Sequence, residues 1–279
     1  MPPSARLARF VKSWPVVGVV GGSGGAGAST FAAVVALGAS ELSSRPVLLI
    51  DLDPIGGGLD VLLGLDSTAG ARWSAVSKPG GALHAVPAAP ARWLRRAMAC
   101  AVGPRRLRRR RHRPWAGGRR YWRTRAAARA ARSFAAFPQW ASVAVLSADT
   151  PRLPLPEVAS RVVDRARAKA PVVVDLSRCP SATRDVVLDL CAGLILVARC
   201  QRRAIAATRT VRQSLPGLSL RLIVRSGDWI AARRVSALVD ARLAGHVPSY
   251  QGLIDPVTPS SVPPALIRLA STILQELAG

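Results

Sequence analysis

The fold is decided by one stretch of sequence, Val19-Val20-Gly21-Gly22-Ser23-Gly24-Gly25-Ala26-Gly27-Ala28-Ser29-Thr30. The apolar run before it, residues 15–20, predicts a buried strand, and the alanine-rich run after it, residues 31–42, predicts a helix. The backbone N–H groups of a glycine loop between a strand and a helix form a concave nest for anions, and the helix N-terminus adds partial positive charge. The stretch therefore predicts a phosphate-binding loop.

The spacing Gly22-x-x-x-x-Gly27-x-Ser29 fits the P-loop pattern except at one position. The residue before Ser29 is lysine in that pattern and is Ala28 in this chain. A loop that is rich in glycine by chance is the alternative interpretation, and the segments that follow decide between the two.

A second buried strand ends in two carboxylates. Residues 46–54 run Pro-Val-Leu-Leu-Ile-Asp-Leu-Asp-Pro, and period-2 alternation puts Asp51 and Asp53 on the same side of the strand end. Ligands of α/β sheets bind at the carboxyl ends of parallel strands, where carboxylates can organise a hydrated Mg²⁺ and orient an attacking water. The alternative is that one of the two merely caps the turn.

The rest of the chain alternates strands with helices. Residues 171–178 predict a buried strand that ends in Asp175 and has the form of a Walker B strand, whose carboxylate holds Mg²⁺ through water. Further strands are predicted at residues 142–147, 193–198, 218–224 and 244–247, with helices at 156–169, 181–190, 202–214, 231–241 and 263–277. This order predicts an α/β fold with a mostly parallel sheet and helices on both faces, of the P-loop NTPase type.

One segment breaks this order. Residues 77–140 are rich in arginine, and no Asp or Glu occurs between Asp66 and Asp149. The block at residues 105–113 is almost wholly arginine, and tryptophan and tyrosine residues lie near it. Three interpretations stay open: a disordered insert that binds nucleic acid, a poorly folded surface loop, and a stretch of a GC-rich gene translated out of frame.

The composition limits the domain organisation and the cellular compartment that the chain can have. With 279 residues, nearly half of them hydrophobic, the chain can form one α/β domain over 15–279, interrupted by the insert and preceded by a mobile tail at residues 1–14. The net charge is +25, and only three of the forty basic residues are lysines. The four cysteines form no C-x-x-C pair, and we expect a cytoplasmic protein without a signal peptide or a transmembrane span.

With these residues in hand, the chain resembles the MinD/ParA group of P-loop ATPases, which carry a deviant Walker A loop. Within that group it is most similar to the actinobacterial CpaE-like septum site-determining proteins. The resemblance rests on residues 21–29, on 49–54 with 56–60, on Ala71-Arg72-Trp73, on 145–147 and on 173–178. It covers residues 16–76 and 141 to about 250, and the segment 77–140 matches nothing expected in the family.

The resemblance implies an ATP-dependent positioning factor that acts on septum placement or on the polar assembly of pilus or secretion machinery. It implies a homodimer across the nucleotide face, and ATP with Mg²⁺ as cofactors. It also implies roles for individual residues: Ser29, Asp51 and Asp175 as metal ligands, Asp53 as the residue that positions water, and nine nucleotide-binding residues. Those nine are Gly22, Ser23, Gly24, Gly25, Ala26, Gly27, Ala28, Ser29 and Thr30.

Both lysines of the family loop are absent, replaced by Ser23 and Ala28. We therefore expect ATP to bind weakly and hydrolysis to be weak or absent. Two alternatives stay open. One is a basic nucleic-acid-binding protein on a degenerate NTPase scaffold, which would bind through residues 105–113. The other is an active ATPase in which an arginine, with Arg178 as the candidate, replaces the lost lysine.

Overall fold

The computed structural model describes residues 15–43, 45–78, 134–215, 219–248 and 256–278. The predicted tail at residues 1–14 and most of the predicted insert, including residues 105–113, lie outside the described residues.

A single eight-stranded sheet organises the described part of the chain. Its strands, in chain order, are β1 Val16–Gly21, β2 Val47–Leu52, β3 Gln139–Trp140, β4 Val143–Leu146, β5 Val172–Leu176, β6 Gly193–Arg199, β7 Leu220–Arg225 and β8 Leu243–Val247. The spatial order is β3-β4-β2-β5-β1-β6-β7-β8, and every pair is parallel except β3 with β4. The predicted mostly parallel sheet is confirmed.

Helices cover both faces of this sheet. They are α1 Ala28–Ser43, α2 Leu59–Leu62, α3 Trp73–Val76, α4 Pro156–Arg167, α5 Ala182–Leu188, α6 Arg202–Gln213, α7 Trp229–Val239 and α8 Pro264–Ala278. Along the strands, side chains point alternately into two apolar cores, one on each face of the sheet. Val16 and Val20 of β1 point to the face that α4, α5, α6 and α7 cover. Val17 and Val19 point to the face that α1 and α8 cover.

The closing helix α8 packs in the core, as its apolar stripe predicts. Leu266, Ala270 and Ile273 are buried against α1. The two helices approach closely because position 38 is glycine, where a Cβ atom would lie 3.3 Å from the Cβ of Ala270.

After the arginine-rich segment, packed structure resumes earlier in the chain than the sequence predicts. The insert was expected to extend to residue 140, but Phe134 and Phe137 are fully buried in the same core as α4. Their rings lie 6.5 Å apart. Both side chains belong to the apolar cluster that contains Ala144 of β4 and Val158 of α4, and the local composition did not indicate this packing.

Candidate functional site

The predicted phosphate loop connects β1 to α1 at the centre of the sheet. Gly25 and Gly27 have φ values of +67° and +85°, a left-handed conformation that favours glycine. The backbone N–H of Phe31 donates to the carbonyl oxygen of Gly27 at 2.9 Å and so begins the hydrogen bonding of the helix. The loop therefore has the strand–loop–helix geometry that anion binding requires.

A cleft of about 470 Å³ opens beside this loop. Three segments form its walls: the loop and the first turn of α1, residues between 53 and 62 after β2, and residues 175–179 at the end of β5. The volume is within the range of small-molecule sites. Eight of the nine predicted nucleotide-binding residues line it, namely Ser23, Gly24, Gly25, Ala26, Gly27, Ala28, Ser29 and Thr30.

Gly22, the remaining predicted nucleotide-binding residue, does not line the cleft. It is buried, and its N–H donates to the carbonyl oxygen of Val197 in β6 at 2.9 Å. A Cβ atom there would overlap the side chain of Thr208 in α6. Glycine is needed at this position so that the end of β1 can pass close to α6, and the Gly22 N–H is already paired within the protein.

Asp175 lies at the bottom of the cleft, where it meets the phosphate loop. Its pKa is raised well above the usual 3.8, first by burial and then by the negative charge of Asp51. The nearby hydroxyl of Ser29 acts in the opposite direction and lowers this pKa. The structure thus brings together Ser29 and Asp175, two of the predicted metal ligands.

Asp51 pairs with Asp175 across the adjacent strands β2 and β5 but is enclosed by the protein. Its carboxylate accepts hydrogen bonds from the backbone N–H groups of Asp53 and Leu59, both at 2.9 Å. Burial raises its pKa to about 6, although these backbone hydrogen bonds lower it. Asp51 does not line the cleft, so its observed contacts are those of a residue that fixes the loop at 53–59.

Asp53, the predicted water-positioning residue, lies in the cleft wall. Its carboxylate accepts a weak hydrogen bond from the N–H of Ile55 at 3.4 Å, and its carbonyl accepts one from Gly56 at 3.3 Å. The two carboxylates that follow β2 therefore differ in environment: Asp51 is buried behind the loop, and Asp53 faces the cleft.

The donor set fits a hard cation such as Mg²⁺. The Ser29 hydroxyl and the Asp175 carboxylate are oxygen ligands, and Asp53 faces the same cleft. In the described ranges no group of three or more His, Cys, Asp and Glu side chains is placed to hold a metal alone. Mg²⁺ sites in proteins commonly combine one or two carboxylates with water and substrate phosphate oxygens.

A clamp outside the cleft holds the loop behind Asp51. Arg72 forms an ion pair with Asp60 at 3.3 Å and donates to the carbonyl oxygens of Leu65 and Gly70. The indole N–H of its neighbour Trp73 donates to the Asp51 carbonyl at 2.7 Å. The sequence pattern singled out Arg72 and Trp73 but assigned them no role. Their contacts show that they connect the segment 59–73 to the end of β2.

Three arginines lie next to the phosphate loop. Sequence reasoning named Arg178 as a candidate, but it missed Arg199 and Arg225, the last residues of β6 and β7. The signal available in the sequence was their common position at the end of a mostly apolar strand, close to the position that Asp175 has in β5.

In the part of the chain that the structure describes, no helix combines the length and apolar character needed to cross a membrane.

No protein-family model matches the chain. Its sequence is 30% identical over 214 residues to an uncharacterized protein of Mycobacterium tuberculosis, which occurs in the strains CDC 1551 and H37Rv. The match covers 75% of this chain and 47% of the relative. The chain thus spans about half the length of the curated relatives it matches.

Solved structures of ParA and MinD ATPases share the fold. The cell division ATPase MinD of Pyrococcus furiosus superimposes with a TM-score of 0.61 at 15% identity, over 94% of this chain and 99% of that chain. A ParA family ATPase of Chlorobium tepidum gives 0.58 at 13% identity, over 95% and 98%. The septum site-determining protein MinD of Pyrococcus horikoshii, complexed with Mg-ADP, gives 0.54 at 16% identity, over 95% and 94%. The chain therefore has the P-loop fold of the MinD and ParA ATPases.

Proposed function

We propose that this chain is an ATP-binding spatial regulator of the MinD/ParA type. The observation that supports it best is the cleft itself, which Ser29 at the start of α1 and Asp175 of β5 line together beside a glycine loop of phosphate-binding geometry. Ser29, Asp175 and Asp53 would hold Mg²⁺ and order water, and the backbone N–H groups of residues 23–30 would bind phosphates. Bound Mg²⁺ would supply positive charge that offsets the negative charge of the phosphates.

Calorimetry of the purified chain with Mg-ATP tests this proposal. We expect binding that is lost in the Ser29→Ala and Asp175→Ala variants and retained in Ser260→Ala, an exposed serine outside the cleft. Absence of binding by the unmodified chain at millimolar Mg-ATP would contradict the proposal.

Hydrolysis should be weak or absent. Ala28 offers no charge where the P-loop pattern has lysine. Cationic groups at the transferred phosphoryl group contribute about 10³–10⁵ in rate when they are held in place. Arg178 is exposed and lies outside the loop, so its guanidinium is held less firmly than a lysine of the loop would be. Binding should therefore survive the loss of the lysine better than catalysis does.

A phosphate-release assay measures this difference. The unmodified chain should turn over far below the order of 1 s⁻¹, and Ala28→Lys should raise the rate if the remaining site is intact. Turnover on the order of 1 s⁻¹ or more, abolished by Asp53→Ala, would favour the active ATPase that uses an arginine.

The regulatory part of the proposal concerns where the protein acts. A role at the septum or at a cell pole, in division or in pilus or secretion assembly of an actinobacterial cell, is supported by the resemblance to CpaE-like proteins. Fluorescent fusions of the full chain and of the Asp175→Ala variant test it. We expect septal or polar foci that the variant lacks. Uniform fluorescence of the unmodified fusion would contradict the role.

The nucleic-acid alternative depends on the basic block at residues 105–113. The buried positions of Phe134 and Phe137 set the limit of the deletion that tests it: a deletion of residues 79–133 keeps these core side chains, whereas a deletion up to residue 140 would remove them. DNA binding that is lost in this deletion and weakens steeply with salt would favour the alternative. Unchanged binding in the deletion variant would show that the block is not the binding element.

A further inference from the structure

Three arginines approach the phosphate loop from both sides. Arg178 follows β5 by two residues, and Arg199 and Arg225 are the last residues of β6 and β7. Because β5 lies on one side of β1 while β6 and β7 lie on the other, the strand order surrounds the loop with these side chains.

Each guanidinium lies close to a different glycine of the loop. A Cβ atom at Gly24 would lie 3.0 Å from Nη1 of Arg178, and one at Gly27 would lie 2.8 Å from Nη1 of Arg225. Arg199 is more distant, with its Nη1 3.7 Å from a Cβ at Gly25. The absence of side chains on the loop is therefore what lets the arginines approach the loop backbone.

None of the described carboxylates forms an ion pair with any of the three arginines. The four ion pairs found in the described ranges involve Arg72, Arg167, Arg221 and Arg242. Arg225 donates one long hydrogen bond, 3.5 Å, to the carbonyl oxygen of Gly25. An arginine stays charged at any physiological pH, and its planar fork of N–H donors matches phosphate oxygens. Unpaired guanidinium groups around an anion-binding loop indicate an anionic ligand.

The positions of Arg178 and Arg225 differ with respect to the aspartates. Arg178 lines the large cleft together with Asp53, Asp175 and Ser29, the residues expected at the metal. Arg225 instead lines a smaller cavity of about 70 Å³ on the β7 side of the loop, which none of those three residues lines.

We propose that arginines from the strand ends supply, for nucleotide binding, the positive charge that the loop lysines supply in other P-loops, with Arg178 bound to the terminal phosphate of a nucleoside triphosphate. Arg225 would contact the part of the nucleotide that ATP and ADP share. This inference rests on the proposed nucleotide binding. It makes Arg178 a specificity-determining residue for triphosphate over diphosphate.

Calorimetry of the full chain with Mg-ATP and with Mg-ADP tests it. Arg178→Ala should weaken ATP binding about tenfold or more, as expected for loss of a charged hydrogen bond, and should change ADP binding by less than about threefold. Arg225→Ala should weaken both nucleotides equally. Arg203→Ala is the matched control, since Arg203 is exposed on α6 and outside both cavities, and it should change neither affinity.

A charge-rescue variant sharpens the test. Ala28→Lys, introduced into Arg178→Ala, should restore most of the lost ATP affinity, because both groups would contact the same phosphate. Failure of this rescue, or equal weakening of ATP and ADP by Arg178→Ala, would overturn the inference while leaving the proposed nucleotide binding intact. If the unmodified chain binds neither nucleotide, the proposed function itself fails and the inference fails with it.

Discussion

Ala28 is the first residue of helix α1 and lines the cleft at the position where the P-loop pattern has lysine. Around it the loop keeps the backbone geometry of a phosphate site, with left-handed glycines at 25 and 27. The positively charged side chains close to the loop come instead from arginines 178, 199 and 225, which are far apart in sequence. At the scale of single residues, backbone geometry and side-chain charge are thus contributed by different parts of the chain.

Replacing Asp175 should change both the stability of the chain and its binding of Mg-ATP. Asp175→Asn keeps the shape of the side chain and removes a carboxylate whose burial beside Asp51 raises its pKa. We expect the melting temperature of the nucleotide-free chain to rise by about 2–6 °C. We also expect the stabilisation by Mg-ATP to fall, because a ligand stabilises only in proportion to its binding.

The pH dependence follows from the direction of the pKa shift. Since the pKa of Asp175 is higher in the folded than in the unfolded chain, ionisation costs stability only above the unfolded value, near 3.9. The difference in melting temperature between Asp175→Asn and the unmodified chain should therefore vanish near pH 4 and grow as the pH rises. Asp66→Asn, at an exposed position, is the control and should show no such trend. An Asp175→Asn variant that is less stable at pH 8 would contradict the prediction.

The segment between β2 and α3 shows how short elements position a buried carboxylate. Leu59, the first residue of α2, donates its N–H to Asp51, and Trp73, the first residue of α3, donates its indole N–H to the Asp51 carbonyl. Arg72 connects the two helices through Asp60. The wall of the cleft therefore depends on a clamp that does not itself line the cleft.

Removing this clamp should be costly. Arg72→Ala breaks a mostly buried ion pair and leaves Asp60 and two or more carbonyl groups without their donor, so we expect a loss of about 3 kcal/mol in the free energy of unfolding. The matched control is Arg167→Ala, which removes an exposed ion pair with Asp164 and should cost less than about 1 kcal/mol. Urea unfolding measures both. Equal losses in the two variants would show that the clamp is only a surface feature.

The strands and long helices were predictable because the hydrophobic pattern of each lies within its own segment of the sequence. The strand at 193–198, for example, is observed at Gly193–Arg199, and the helix at 202–214 at Arg202–Gln213. The edge strand β3 and the buried ring of Phe134 were not predictable, because they adjoin an acid-free segment whose composition resembles no packed structure. Packing against distant residues overrides the local composition there.

The same distinction applies to the site. The loop and Asp53 each follow an apolar strand and Asp175 lies near the end of one, and that pattern is sufficient to place them at one edge of a parallel sheet. The enclosure of Asp51 and the approach of Arg225 were not predictable, because they depend on which strands are neighbours. The order β5-β1-β6-β7 is a property of the whole sheet and is not encoded in any one segment.

At the scale of the whole molecule, the carboxyl ends of the central strands converge on one cleft, and apolar side chains lie exposed at its rim. Ile55 and Val61 line the cleft with 79% and 51% of their surfaces exposed. Exposed apolar side chains beside a binding site are typical of surfaces that a partner covers. They favour the homodimer across the nucleotide face that the family resemblance implies.

Ile55→Asp tests this association. In the presence of Mg-ATP we expect the unmodified chain to form a dimer and Ile55→Asp to remain monomeric, because a carboxylate at the centre of the interface would lose its hydration without gaining a partner. Size-exclusion chromatography with light scattering measures the mass. Leu238→Asp is the matched control: Leu238 is 54% exposed on α7, outside the cleft, and its replacement should leave the dimer intact. Calorimetry of Ile55→Asp shows whether nucleotide still binds. A variant that dimerises as the unmodified chain does, or an unmodified chain that stays monomeric while binding Mg-ATP, would show that the nucleotide face is not the dimer interface.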